Sequence, residues 1–578
     1  MNLPLKKSLS VISVSIMLSV STQSLALQQT AIYSSVDRHH PVWAANGMVA
    51  TQEAYATEVG VQILEKGGNA VDAAVAVGFT LAVTLPRAGN LGGGGFMLYF
   101  DNDDDKGVAI DYREKAPANA TRDQFLDANG DADSNLSQFH GLSVGVPGTV
   151  AGLLKAHEEH GSLPLEDLIT PAIELAENGI VVSPDLADSL ADLKERIGKW
   201  PSSEKIFYKA DGSNYEPGDI LVQKDLANTL RLILEKGAAG FYEGPVAKSI
   251  VKAVKEADGN MEMSDFANYQ AVNRQPVAGD YRGYKVISMP PPSSGGIHII
   301  QILNMLEHYP IAEMGVNNAD TMHVMAEAMK LAYADRSEYL GDADFVDVPV
   351  EGLTSKEYAK SLVEGIDLDH ARPASEIKPN NPIPYESNQT THYSIVDKEG
   401  NAVANTYTLN FSYGTGLVAE GTGVLLNNEM DDFSAKPGVP NGYGLIGGDA
   451  NAVEANKRPL SSMSPTIVLK DNDPYLVTGS PGGSRIITTT LQMILNVVDH
   501  DMNVAQATHA PRMHHQWLPD EIRIEEGFSK DTIGLLEAKG HTVIEKDAMG
   551  STQSIMIEEG GLYGSSDPRQ QNALTKGY

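Results

Sequence analysis

Asn388-Gln389-Thr390-Thr391-His392-Tyr393-Ser394 is the stretch on which the reading of this chain turns. Taken alone, it is a threonine pair leading into a strand. That is ordinary β-sheet sequence, because β-branched side chains fit a pleated, half-buried surface. The second reading is chemical. A threonine hydroxyl becomes a nucleophile when a free α-amine beside it serves as its base. No such amine exists inside a chain, so this reading requires the backbone to be cut between Gln389 and Thr390, and no evident protease site lies there.

Outward from that point the pattern is of strands and tight turns. Residues 392–396 and 402–409 alternate like strands, joined by Lys398-Glu399-Gly400-Asn401. Residues 466–469 and 475–478 make a second hairpin around Asn472-Asp473. Pro481-Gly482-Gly483-Ser484 then opens a long amphipathic helix. Toward the N-terminus, helical spacing dominates residues 142–380, interrupted by a strand at 284–288 and the stiff turn Pro290-Pro291-Pro292. A helix is expected over 51–65, stopping at Gly67-Gly68. Asn69 reads as the N-cap of an Ala/Val-rich helix over 70–84 that is apolar on nearly all sides and therefore buried. The glycine-rich turn 89–95 leads into strands at 96–100 and 108–113. Strands linked to buried helices by glycine turns predict sheets covered by helices.

Composition narrows the function classes. The 578 residues carry 43 Lys+Arg against 76 Asp+Glu, a net charge of −33, which argues against nucleic acid and against an anionic membrane surface as partners. With no cysteine, the chain has no disulfide, no thiol nucleophile and no thiolate metal site. Lys6 and Lys7, the apolar run 9–20 and Ser24-Leu25-Ala26 read as a signal peptide over 1–26, cleaved after Ala26. Its apolar core is too short for a stop-transfer helix, so a periplasmic or secreted protein without a stable membrane anchor is expected. No linker, repeat or low-complexity block divides the rest.

Six stretches together resemble one family, in its order. They are residues 388–394, 89–97 (GNLGGGGFM), 288–296 (SMPPPSSGG), 426–432 (LNNEMDD), 458–465 (RPLSSMSP) and 479–485 (GSPGGSR). The family is the γ-glutamyltransferases, members of the N-terminal-nucleophile hydrolases, and the similarity runs from about residue 40 to the C-terminus. The resemblance implies an α+β fold, a four-layer αββα sandwich formed jointly by two chains. Thr390 would attack the carbonyl of Gln389, releasing a large subunit (27–389) and a small catalytic subunit (390–578). The freed Thr390 would then attack γ-glutamyl amides such as glutathione and pass the acyl group to water, amino acids or peptides.

Further roles follow from the same resemblance. Thr408 would hold the nucleophile's hydroxyl, although it is also an ordinary strand residue. Arg113 would grip the donor's α-carboxylate, for which its planar fork is suited; without the family match, a surface salt bridge with Glu114 is the simpler reading. Ser461 and Ser462 would bond the same carboxylate, and Asn410, Glu429 and Asp432 would surround the ammonium. Gly482 and Gly483 would form the oxyanion hole, where backbone N–H groups meet developing negative charge. Residues 437–448, with Tyr443, resemble a lid over the pocket.

Other signals are set aside. Residues 92–95 lack the Lys-Ser/Thr of a phosphate loop and precede a strand. Residues 127–133 resemble a calcium loop with its glycine misplaced, and read as solvated acid. His514-His515 and His39-His40 lack the spacing of a zinc helix. Neither a cofactor nor a metal is expected. Two rivals remain. One is an amidase of the same architecture acting on a cephalosporin side chain or poly-γ-glutamate. The other is a non-catalytic, calcium-dependent surface protein.

Overall fold

Alternation along the strands decides the layers. In the computed structural model, which describes residues 37–382 and 393–578, every second side chain of a central strand faces one core and its neighbours face another. On β3 (Gly94–Asp101), Phe96, Leu98 and Phe100 point into the space between two sheets, while Met97 and Tyr99 point outward onto helices. The same split separates Ile287 from Val286, and Ile467 from Val468. A strand buried on both faces must be apolar on both, and these are.

Each of the two stacked sheets has seven strands. In chain order these are β1 (Val42–Ala44), β2 (Met48–Thr51), β3, β4 (Lys106–Tyr112), β5 (Val272–Arg274), β6 (Val277–Tyr281), β7 (Tyr284–Ser288), β8 (Ser394–Val396), β9 (Ala402–Thr408), β10 (Thr466–Lys470), β11 (Asp473–Thr478), β12 (Gln553–Glu558), β13 (Gly561–Ser566) and β14 (Leu574–Gly577). One sheet runs β1-β13-β12-β11-β10-β7-β6, and the other runs β14-β2-β8-β9-β3-β4-β5. The pairings in both are antiparallel. Between the sheets lies an apolar layer that includes Met48, Phe96, Ala404, Ile467, Val477 and Ile555.

Helices cover the two outer faces. On one side lie α1 (Ala54–Glu65), α2 (Ala70–Thr84), α3 (Thr149–His160) and α4 (Leu165–Asn178). On the other lie α5 (Gly295–Leu306), α6 (Ala319–Tyr339) and α7 (Ile486–Val498), with α8 (Lys530–Ala538) at the periphery. The expected αββα sandwich is therefore present. Every residue of α2 is buried, as its all-round apolar sequence requires. Asn69 and Asp72 close a reciprocal capping box at its start, and Ala70 N donates to Asp397 Oδ2 at 2.9 Å, fastening the helix to the β8–β9 turn.

Three expectations are corrected. The helix expected from 51 begins at Ala54, because Thr51 still pairs with Leu574 in the sheet and the Glu53 side chain caps the helix. The helix expected from Pro481 begins at Ile486; Gly482 and Gly483, at φ +135° and +59°, cannot be α-helical, and Gly483–Arg485 forms a 3-10 turn instead. Strands β5 and β6 lie within what reads as a helical stretch, and β12 to β14 fall in a C-terminal region to which the sequence reading assigns no element. These are short or Gly/Ser-containing segments whose pairing depends on neighbours far away in sequence.

Candidate active site

Strand β9 ends at Thr408 where the glycine run 92–95 crosses it. A Cβ on Gly93 would lie 1.9 Å from the Thr408 carbonyl oxygen, so only glycine permits the approach. Asn90 holds the crossing: its Nδ2 donates to Thr408 O at 2.9 Å, and its Oδ1 accepts from Gly93 N at 2.8 Å. Here the glycine run is a backbone crossing that leads into strand β3. Beyond Thr408 the chain turns at Asn410, whose φ of +73° is a conformation asparagine tolerates. Asn410 N donates to Thr408 Oγ1 at 2.8 Å, which leaves the Thr408 hydroxyl proton available to another acceptor.

Thr408, Asn410, Glu429, Asp432, Tyr443, Ser461, Ser462, Gly482 and Gly483 all line one cavity of about 540 Å³. Gln52, Leu81 and Arg87, more than three hundred residues before Thr408, line the same space. Thr390, with Gln389 before it, lies outside the described residues; the described chain resumes at Tyr393, which lines this cavity.

Arg113 is placed differently from expectation. It follows β4, is wholly buried and is not on the cavity wall. Its guanidinium lies behind the wall and is ion-paired to Glu429 Oε1 through Nη1 and to Asp432 Oδ2 through Nη2, the latter at 2.6 Å. Nε and Nη2 also donate to the carbonyls of Pro459 (3.2 Å) and Leu460 (3.4 Å), which lead into Ser461. The simpler alternative, a surface salt bridge with Glu114, is ruled out by burial: Glu114 is also wholly buried, with Oε2 at 3.7 Å from Nη1. Three carboxylates thus face one guanidinium. Burial pushes Glu114 up to about 7 against the pull of Arg113, and burial also raises Glu429 well above the usual carboxylate range.

The remaining walls are held from outside the cavity. Ser461 is fixed by its N–H to Pro292 O (2.8 Å) and by its carbonyl, which accepts from Ser294 N (2.8 Å). Arg336 on α6 donates from Nη2 to Ser462 Oγ at 3.2 Å and from Nε to Ser294 Oγ at 2.8 Å. Wholly buried, Arg336 is drawn down to about 10 by desolvation. Tyr443, within residues 437–448, is held at the cavity: its OH donates to Asn410 O at 2.7 Å, its ring meets Phe411 edge-on at 5.3 Å, and it packs on Gly483. Asp431, one residue from Asp432, faces away from Arg113; it accepts from Ser137 Oγ (2.6 Å) and from Gly442 N (3.0 Å).

Residues 56–576 match the model of the family described as Gamma-glutamyltranspeptidase. The chain is 59% identical to the glutathione hydrolase proenzyme of Escherichia coli (strain K12), over 94% of this chain and 93% of that protein. The chain belongs to the γ-glutamyltranspeptidase family.

Solved structures agree with this family and with its wider fold. The γ-glutamyltranspeptidase of Helicobacter pylori is 47% identical, with a TM-score of 0.56 over 60% of this chain and 97% of that one. A cephalosporin acylase from Bacillus halodurans superposes with a TM-score of 0.82 over 94% of this chain and 98% of that one, but at 27% identity. Family motifs located the cavity residues, yet they did not single out Glu114, Asn90 or Arg336 as parts of the site. Glu114 stands beside Arg113 in sequence, and its burial was the missing signal. Arg336 sits in a helix whose sequence gives no hint that one turn faces Ser462. The histidines set aside have packing roles: buried His514 bonds Thr488 Oγ1 at 2.8 Å, buried His515 meets Asp520 at 3.3 Å, and His39 stacks on His509. In the acidic loop, Asp127 Oδ1 accepts from the N–H groups of Asn129 (2.8 Å) and Asp131 (2.9 Å).

Proposed function

We propose that this γ-glutamyltransferase and glutathione hydrolase cuts itself between Gln389 and Thr390, and that Thr390 is then its nucleophile. In the cut, Thr390 Oγ attacks the Gln389 carbonyl, the amide becomes an ester, and water releases residues 27–389 from 390–578. The new α-amine takes the hydroxyl proton as Oγ attacks the γ-carbonyl of a donor such as glutathione. The N–H groups of Gly482 and Gly483 receive the oxyanion, a contribution worth on the order of 3–4 kcal/mol of barrier. The leaving amine departs with a proton, and the glutamyl ester is resolved by water, an amino acid or a peptide. Thr408 Oγ1, with its proton uncommitted toward Asn410, supports a role in orienting the nucleophile.

One observation carries the donor reading: a guanidinium, two carboxylates and two serines converge behind and along one cavity that also holds Gly482 and Gly483. A zwitterionic α-amino-acid head, with its carboxylate and ammonium on one carbon, matches that set. Because Glu429 and Asp432 already occupy the Arg113 fork, the donor carboxylate reaches Arg113 only as those side chains turn toward the ammonium. An acyl group with no ammonium, such as a glutaryl side chain, would leave them uncompensated. Lys6, Lys7, the apolar run 9–20 and Ser24-Leu25-Ala26 support the N-terminal reading, a signal peptide over 1–26 and a periplasmic or secreted enzyme; these residues lie outside the described ones.

The test has two parts. Wild type should give a fragment whose first residue is Thr390, and Thr390→Ala should remain one chain; any other N-terminus sinks the nucleophile assignment. Rates on γ-glutamyl-p-nitroanilide should exceed those on a glutaryl-cephalosporin, and the reverse order would move the enzyme to the acylase reading that the Bacillus halodurans likeness favours.

A further inference from the structure

On the far side of the outer helical layer, three buried side chains converge that take no part in the cavity. His323 and Glu327 project from one face of α6, one turn apart, and His541 follows α8. One ligand atom from each lies within 4.8 Å of the others. His323 Nδ1 and His541 Nε2 are 2.7 Å apart. The other nitrogen of His323, Nε2, lies 2.7 Å from the carbonyl oxygen of Asp367. A carbonyl only accepts, so Nε2 carries the proton and Nδ1 presents a lone pair to the cluster. This is how a metal-binding histidine is commonly oriented. Glu327 is also held from behind. Its Oε1 pairs with buried Lys330 at 2.5 Å and accepts from Arg372 N at 3.3 Å, while Lys330 donates in turn to Arg372 O.

We propose that His323, Glu327 and His541 form a binding site for a divalent transition ion of the zinc class. Two imidazoles and a carboxylate suit zinc, cobalt or nickel and not calcium or magnesium, which prefer all-oxygen shells. Three protein ligands leave a fourth position for water. With Zn–N near 2.0–2.1 Å, a tetrahedral site separates its nitrogens by about 3.3 Å, so the rings open by about 0.6 Å. The ion replaces the hydrogen bond between the two rings: the proton on His541 Nε2 moves to Nδ1, and both imidazoles bind neutral without net proton release. His515, Asp520 and Lys330 also face the cluster; Asp520 contributes negative charge beside the cationic Lys330. If the chain is cut before Thr390, a consequence that rests on the reading above, the first two ligands belong to one fragment and the third to the other. The ion is then a clamp between the chains and not a part of the chemistry.

The experiment uses tag-free, EDTA-treated protein titrated with Zn²⁺ by calorimetry, with Co²⁺ absorption to read ligand geometry. One saturable zinc site per molecule, tetrahedral cobalt bands and a higher melting temperature with Zn²⁺ are expected. Glu327→Gln and His541→Ala should each weaken that site at least tenfold. His370→Ala, which removes an exposed histidine near Asp367, should leave it intact. Wild type with no saturable zinc site overturns the proposal however the variants fold, and so does a site that survives His541→Ala or is lost with His370→Ala. Activity on γ-glutamyl-p-nitroanilide, measured in the same samples, reads the cavity separately.

Discussion

Asp432 Oδ2 stands 2.6 Å from the Arg113 guanidinium, while the adjacent Asp431 turns to Ser137 and the Gly442 backbone. Neighbours in sequence therefore have separate roles, and three substitutions tell them apart. Asp432→Asn should raise the donor's KM by ~10–100-fold, the scale of one charge-assisted hydrogen bond of about 1.5–3 kcal/mol. Glu429→Gln keeps an oxygen toward Arg113 and should be milder, whereas Asp431→Asn should loosen the segment 437–448 with a smaller effect on KM. Equal damage from Asp431→Asn and Asp432→Asn in steady-state kinetics would overturn the pocket assignment. A second expectation concerns Glu114, which burial pushes up to about 7. Both Glu114 oxygens and Glu429 Oε2 are buried without a hydrogen-bond partner among the described residues, and burial raises both carboxyls. Glu114 holds its proton below about 7, and above it the pocket gains a negative charge that attracts the donor ammonium. Binding of L-glutamate, followed calorimetrically, should therefore tighten as pH rises through this range, and Glu114→Gln should flatten that dependence relative to wild type.

At the scale of elements, the segment 437–448 and the 3-10 turn meet through Tyr443 and Gly483. Gly483 has φ +59°, and a Cβ there would meet the Tyr443 ring at 2.3 Å, while a Cβ on Gly482 would meet nothing nearer than 3.6 Å. Gly483→Ala should therefore lower kcat by displacing Tyr443 and the Gly483 N–H proposed above to receive the oxyanion. Adding Tyr443→Ala should recover part of that loss, because it removes the clash; a double mutant no better than Gly483→Ala would show the ring contact to be irrelevant. At the buried end of α2, Asn69→Ala removes half of the capping box and should cost about 1 kcal/mol in denaturant unfolding.

Over the whole molecule, the order of the sheets fixes what cleavage can do. Strands β8 and β9, from beyond residue 390, lie between β2 and β3 from before it, and β10 to β13 lie between β1 and β7. Each fragment would complete both sheets of the other. The two fragments should co-elute on gel filtration at high salt and separate only in denaturant, because apolar inter-sheet packing is insensitive to ionic screening. Separation by salt alone would contradict this.

Local chemistry was enough to write much of this fold in the sequence. The all-round apolar run 70–84 with its Asn69 cap, the hairpin around residues 398–401 and the exact span of Tyr284–Ser288 were legible because period and turn chemistry act over a few residues. The ordered motifs likewise placed the cavity residues. Strands β5, β6 and β12 to β14 were not legible, since their pairing is selected by partners distant in the chain. Tertiary structure alone decided that Arg113 lies behind the cavity wall, paired to Glu429 and Asp432. It also decided that Glu114 shares their desolvation and that His323 meets His541. Charge in a sequence carries no record of burial, and burial is what turns these charges into a site.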